Sequence, residues 1–151
     1  MHRYLLPAIA LATIAPLPVS AQDSTPTAAP AAVPVTVEGY YRIKWGSEAE
    51  FLALYQKNHL PILEEAQARG FIQSIKVDLP FTHMVGAARW DVRVSITYRD
   101  ATAAIVTDPA FASVFDEVVA RLKKDNPKFD EEEATRFSLL DEHWDVVLSP
   151  Q

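Results

Sequence analysis

The chain has 151 residues, no cysteine and a formal net charge of −6. That length suits one domain, and the missing cysteine excludes disulfides, thiol nucleophiles and thiolate metal sites. The acidic balance lacks the basic footprint of a nucleic-acid binder.

In chain order, "MHRYLLPAIALATIAPLPVSAQ" has a short basic start at His2 and Arg3, an apolar run, and small residues at "VSA". It reads as a secretory signal peptide over residues 1–21, cleaved after Ala21. Export to the periplasm or the medium is the expected destination. Pro7, Pro16 and Pro18 interrupt a run already short for a bilayer span, so no membrane attachment is expected after cleavage. Loss of Arg3 takes the charge to about −7. Residues 22–36, "QDSTPTAAPAAVPVT", are rich in Ala, Pro and Thr and read as a tether. The folded domain is expected over 37–151.

"VTVEGYYRIKW" (35–45) alternates, with Val35, Val37, Tyr41, Ile43 and Trp45 on the apolar face, and predicts a half-buried strand. A helix follows to about Arg69, opened by a Ser47–Glu50 capping box and stopped by Gly70. Pro61 interrupts it and predicts a bend, since proline cannot donate to the Lys57 carbonyl and its ring crowds that turn. A second strand is predicted over 71–79, with Phe71, Ile75, Val77 and Leu79 inward. The loop "PFTHMVGAAR" carries His83, either as part of a lid or as an exposed loop residue. "WDVRVSITYR" (90–99) predicts a third strand with Trp90, Val92, Val94, Ile96 and Tyr98 inward. Asp100 caps a short turn. A long helix starts at an Asp108 N-cap and Pro109, buries Phe111, Val114, Phe115, Val118 and Leu122, and ends at Lys123 and Lys124 before Pro127. A further helix over 130–143 and a last strand over 144–149 complete the chain.

The expected fold class is therefore α+β. It is a ferredoxin-like βαββαβ domain with an antiparallel four-stranded sheet and an extra C-terminal helix. The helices cover the apolar sheet face. The polar face carries Tyr40, Arg42, Lys76, Asp91 and Arg93, together with Glu38 and Asp145. In a monomer this face is solvated. If two sheets meet, it encloses a polar cavity whose charges must be paired or bind something. Arg42 and Arg93 are then candidates to hold a carboxylate or phenolate, with Lys76, Trp90 and His83 as further binding residues. Tyr40 and Asp91 are candidate proton-transfer groups. His59 lies near the apolar stripe of its helix and is either a hydrogen-bonded core residue or a general base.

The element order, "GYYRIKWGSEAEFLALYQKNHLPIL", "RWDVRVSITYRD" and the closing "HWDVVL" resemble the dimeric α/β-barrel superfamily over about residues 37–148. That group includes antibiotic-biosynthesis-monooxygenase-like, EthD-like and muconolactone-isomerase-like proteins. The resemblance implies a homodimer whose sheets pair face to face, with a pocket in each subunit between sheet and helices. It implies no single reaction. Haem-degrading members use an Asn, a Trp and a His at set places. The first strand here offers Tyr40 and Tyr41 but no Asn, so that activity is not carried over.

His59, His83 and His143 form neither H-x-H nor H-E-x-x-H, so no metal site is expected. "DEEE" (130–133) lacks the spaced ligands of a Ca²⁺ loop, and acids suit a helix start. There is no G-x-S-x-G and no phosphate or dinucleotide loop, so no cofactor is expected. Two functions stand open. One is an exported cofactor-independent enzyme of lyase, isomerase or monooxygenase type acting on an aromatic or conjugated compound. The other is a non-enzymatic periplasmic binding or dimerisation module.

Overall fold

The computed structural model describes residues 32–82, 84–105 and 108–148. The expected signal peptide, most of the tether and His83 lie outside the described residues. The elements are β1 (Val35–Ile43), α1 (Glu48–Leu54), a π-helical turn (Tyr55–His59), α2 (Leu60–Ala68), β2 (Ile72–Asp78), β3 (Val92–Tyr98), α3 (Ala101–Ala104), α4 (Pro109–Asp125), α5 (Phe129–Ser138) and β4 (Leu140–Leu148). The sheet order is β2-β3-β1-β4 with every pair antiparallel, which is the ferredoxin-like topology expected from the sequence.

The core lies between one sheet face and the helices. Tyr41, Ile43, Val92, Val94 and Tyr98 of the two central strands meet Phe51, Tyr55 and Ile62 of the first helical segment and Phe111, Val114 and Val118 of α4. Each fully buried side chain of this size contributes about 1.5–3 kcal/mol. Asp108 caps α4 by accepting from the Ala110 N–H, and Asp100 caps α3 through Ala103. Gly70 ends α2 at φ +80°, a conformation that suits glycine.

Several local readings change. Ser47 makes no side-chain cap bond, because its backbone (φ −104°, ψ 5°) is not the extended conformation a capping hydroxyl needs. Pro61 is accommodated by the π turn: the Leu60 N–H reaches back to the Tyr55 carbonyl, and α2 restarts with proline in its first turn. Trp45 lies past the end of β1 and is 70 % exposed, with the Arg89 guanidinium 3.9 Å from its ring centroid. In β2 the register shifts between Ile72 and Ser74, so Ile72 joins Phe71 in the core while Val77 on this edge strand and Leu79 just past its end stay exposed. Phe115 is 38 % exposed rather than buried.

The largest change is at the C-terminal end. The helix expected over 130–143 stops at Ser138, and β4 begins at Leu140. Pairing with β1 from Thr36↔Leu148 to Ile43↔Leu140 overrides the local helical pattern. The faces follow that register. Trp144 stacks on Tyr40 of the sheet face away from the helices, at 5.3 Å and 6°, and His143 stacks on Tyr41 of the helix-covered face, at 4.3 Å and 15°. Asp145, expected on the polar face, therefore lies on the helix side, opposite Gly39.

Candidate functional site

A cavity of about 320 Å³ lies between the sheet and the helices. Its floor is β1 and β3 around Gly39, Val94 and Ile96. The π turn and α2 supply Tyr55, His59 and Leu63. Arg136 and Phe137 of α5 close one side, and His143 and Asp145 of β4 stand at the rim.

The π turn sets the pairing of Tyr55 and His59. Four positions apart, they share one face of the helix, with ring centroids 5.1 Å apart. His59 is held down to about 4, first by burial and then by the Arg136 charge, with Glu133 opposing. It is neutral near pH 7. Tyr55 is 1 % exposed, and its hydroxyl has no hydrogen-bond partner. Burial pushes that hydroxyl well above the ordinary tyrosine range, so it stays protonated. Burial also raises Tyr41 to about 12.

Arg136 is 2 % exposed. Its Nε and Nη2 donate to the two carboxylate oxygens of Glu133 at 3.0 and 2.6 Å. Its guanidinium lies 4.4 Å from the Phe137 ring centroid and 5.8 Å from that of Tyr55. The Arg136 and Glu133 charges cancel, His59 is neutral and the tyrosines are protonated. The cavity interior thus carries no net charge.

At the rim, His143 Nε2 lies 3.5 Å from Asp145 Oδ1. Gly39 makes room for this arrangement. A Cβ built there meets Asp145 Oδ1 at 3.0 Å and the Tyr41 ring at 3.5 Å. A glycine in mid-strand weakens the strand, and here it marks a close approach.

Of the described candidates named from the sequence, His59 alone lines this cavity. Tyr40, Arg93, Lys76 and Trp90 gather on the opposite sheet face. There the Tyr40 hydroxyl donates to Glu38 at 2.5 Å, which raises its pKa. Arg93 and Lys76 both bind Asp78, at 2.9 and 2.8 Å. Trp90, expected inward beside Val92, instead lies edge-on to Tyr40 at 6.0 Å and under Arg93 at 5.6 Å. Arg42 is engaged by Glu142 at 2.9 Å and by the backbone carbonyls of Ala87 and Arg89. Asp91 accepts from Arg89 and from the Ile43 N–H at 2.7 Å, closing the end of β1 beside a second hollow of about 180 Å³ near Trp45 and Phe81. Tyr55, Arg136, His143, Asp145 and Gly39 were not singled out as site residues. The i, i+4 spacing of Tyr55 and His59, the i, i+2 spacing in "HWD" and the mid-strand glycine of "VEGYY" are the signals that mark them.

Among the described residues no group of three His, Asp or Glu is placed to hold a metal ion, and no helix is long and apolar enough to cross a membrane. No family model matches the sequence, and no curated protein matches it either. The chain is similar to solved structures of ferredoxin-like proteins. One is a NIPSNAP family protein from Agrobacterium tumefaciens strain C58, 17 % identical, TM-score 0.47, covering 80 % of this chain and 88 % of that one. Another is a dimeric protein of unknown function with a ferredoxin-like fold from Bacteroides fragilis NCTC 9343, 11 % identical, TM-score 0.44, covering 78 % and 96 %. A third is an EthD family protein from Bacillus halodurans C-125, 10 % identical, TM-score 0.46, covering 79 % and 100 %.

Proposed function

We propose that the domain binds a small, uncharged aromatic or conjugated compound in the cavity between its sheet and helices. The observation that carries this reading is the buried, unpartnered Tyr55 hydroxyl beside a neutral His59. A buried donor without an acceptor costs about 1–3 kcal/mol, and a ligand oxygen relieves that penalty. The volume sits at the low end of small-molecule sites, about 300–1,000 Å³. A ligand anion is disfavoured, because Glu133 already neutralises Arg136 and Asp145 adds a negative charge at the rim.

Thermal shift with matched pairs, cinnamamide against cinnamate and acetophenone against benzoate, tests this directly. The uncharged member of each pair should stabilise the protein. Tyr55→Phe should weaken that binding about tenfold. The ligand-free variant should be as stable as the parent or about 1 kcal/mol more stable, since an unsatisfied hydroxyl is removed. A destabilised variant with unchanged affinity overturns the reading.

We further propose that the opposite sheet face meets a second copy. Tyr40, Trp90 and Trp144 form an aromatic array there, flanked by paired charges, and the buried Arg93 Nε has no hydrogen-bond partner among the described residues. Light scattering should give twice the chain mass, and Trp144→Glu should give the monomer. A wild-type monomer at tens of micromolar refutes this interface.

Export is the proposed setting, on the strength of "MHRYLLPAIALATIAPLPVSAQ". Full-length expression in a Gram-negative host should place a chain beginning at Gln22 in the periplasmic fraction. An intact chain confined to the cytoplasm refutes it.

A further inference from the structure

We propose that His143, backed by Asp145, is a proton-transfer residue at the cavity rim, and that the domain catalyses keto–enol proton exchange on a bound carbonyl compound. This rests on the binding reading above and extends it from binding to an activity.

The two cavity histidines differ in surroundings. His59 is enclosed beside the Arg136 charge, and burial together with that charge keeps it neutral at pH 7. It serves as a hydrogen-bond partner and is a poor proton store. His143 is 31 % exposed at the side chain, lines the same cavity and is in contact with solvent. Its ring is fixed by stacking on Tyr41 at 4.3 Å and 15°. Asp145 Oδ1, 3.5 Å from Nε2, places a negative charge where an imidazolium forms. With the N–H of neutral His143 on Nε2, toward Asp145, the lone pair on Nδ1 is the base of the proposed step. The titratable and charged groups that share the cavity with His143 are Asp145 on its own strand, Tyr41 on β1, Tyr98 on β3, Tyr55 and His59 on the π turn, and Arg136 on α5 with its partner Glu133.

Tyr41 lies between the two reacting ends. Its ring is 4.3 Å from His143 and 6.0 Å from Tyr55. In the proposed pose an aromatic carbonyl compound lies along Tyr41 with its oxygen toward the Tyr55 hydroxyl and its α-carbon toward His143. In the forward step Nδ1 takes the α-proton. The C–H electron pair becomes the C=C bond of the enolate, and the carbonyl π pair moves onto oxygen, where Tyr55 donates a hydrogen bond. Return of a proton from the imidazolium to carbon regenerates the ketone. Atoms and electrons balance without an oxidant, a reductant or a metal. Because His143 is solvent-accessible, its proton exchanges with water between the two steps.

The test uses the full chain in deuterium oxide with 2-tetralone as probe. Deuterium uptake at its α-carbons is followed by proton NMR, and binding is followed separately by thermal shift. Wild-type protein should accelerate uptake at least tenfold over buffer. His143→Asn should return the rate to that of buffer while the thermal shift persists. Asp145→Asn should lower the rate by a smaller factor while the thermal shift persists, because the imidazolium loses its counter-charge. A thermal shift without accelerated uptake overturns the activity and leaves the binding reading standing. Full wild-type uptake in His143→Asn overturns the role of His143. No thermal shift and no uptake with wild-type protein overturns both.

Discussion

Glu133→Leu should destabilise the domain by about 3 kcal/mol, read as a lowered urea midpoint at unchanged slope. Arg136 is almost fully enclosed, and Glu133 is its counter-ion, with both carboxylate oxygens on the guanidinium. Removing the acid leaves a buried cation with nothing opposite it, and breaking such a pair costs about 3–5 kcal/mol. The lower value applies because the Glu133 side chain keeps 19 % of its accessibility. A second change separates pairing from packing. Arg136→Met combined with Glu133→Leu should recover most of the loss, since an apolar pair of similar bulk carries no charge to solvate. Additive losses in the double variant show that Arg136 acts through its contacts with Phe51, Tyr55 and Phe137 and that the ion pair is incidental.

Acidification should act through His59 before it acts through the carboxylates. The folded protein holds this imidazole at about 4, by burial first and by Arg136 second, against 6.5 in the unfolded chain. Between those values the unfolded state binds the extra proton, so stability rises with pH across the window and falls as pH is lowered through it. From pH 7 to pH 4.5 the loss should be about 2 to 3 kcal/mol. Asp100 and Glu132 are both held down to about 2 by hydrogen bonds, to Thr102 and Lys57 foremost, so their contributions fade below that window. His59→Leu should remove most of the pH 7 to pH 4.5 difference in urea midpoint, whatever it does at pH 7. An equal difference in parent and variant would place the acid sensitivity elsewhere.

The β1, β3 and α4 patterns were legible because each buries one face, and burial of one face writes its period into the sequence. The topology followed from element order. β4 was misread for a physical reason. Its first residues are charged and continue a helical pattern, and only the free edge of β1 makes them a strand. That single error turned the strand over, placing Asp145 on the polar face, and so concealed His143 and Asp145 as cavity groups. His59 was legible through its place on an apolar stripe. Arg136 was not, since nothing local distinguishes a buried arginine from an exposed one in the last turn of an acidic helix. The polar sheet face was legible as a set of residues. Mutual pairing through Glu38, Asp78 and Glu142 is a property of the folded sheet and cannot be counted along the chain.

The widened turn at Tyr55–His59 is the room that a proline in mid-helix needs. Gln56 is exposed there and tolerates many side chains. Deleting it turns the flanking residues little, because five residues of a π turn sweep about the angle that four sweep in an α-helix. The closed segment then sets the Pro61 ring against the carbonyl four residues before it. A chain shortened there therefore keeps its helix straight only when Pro61 is replaced as well.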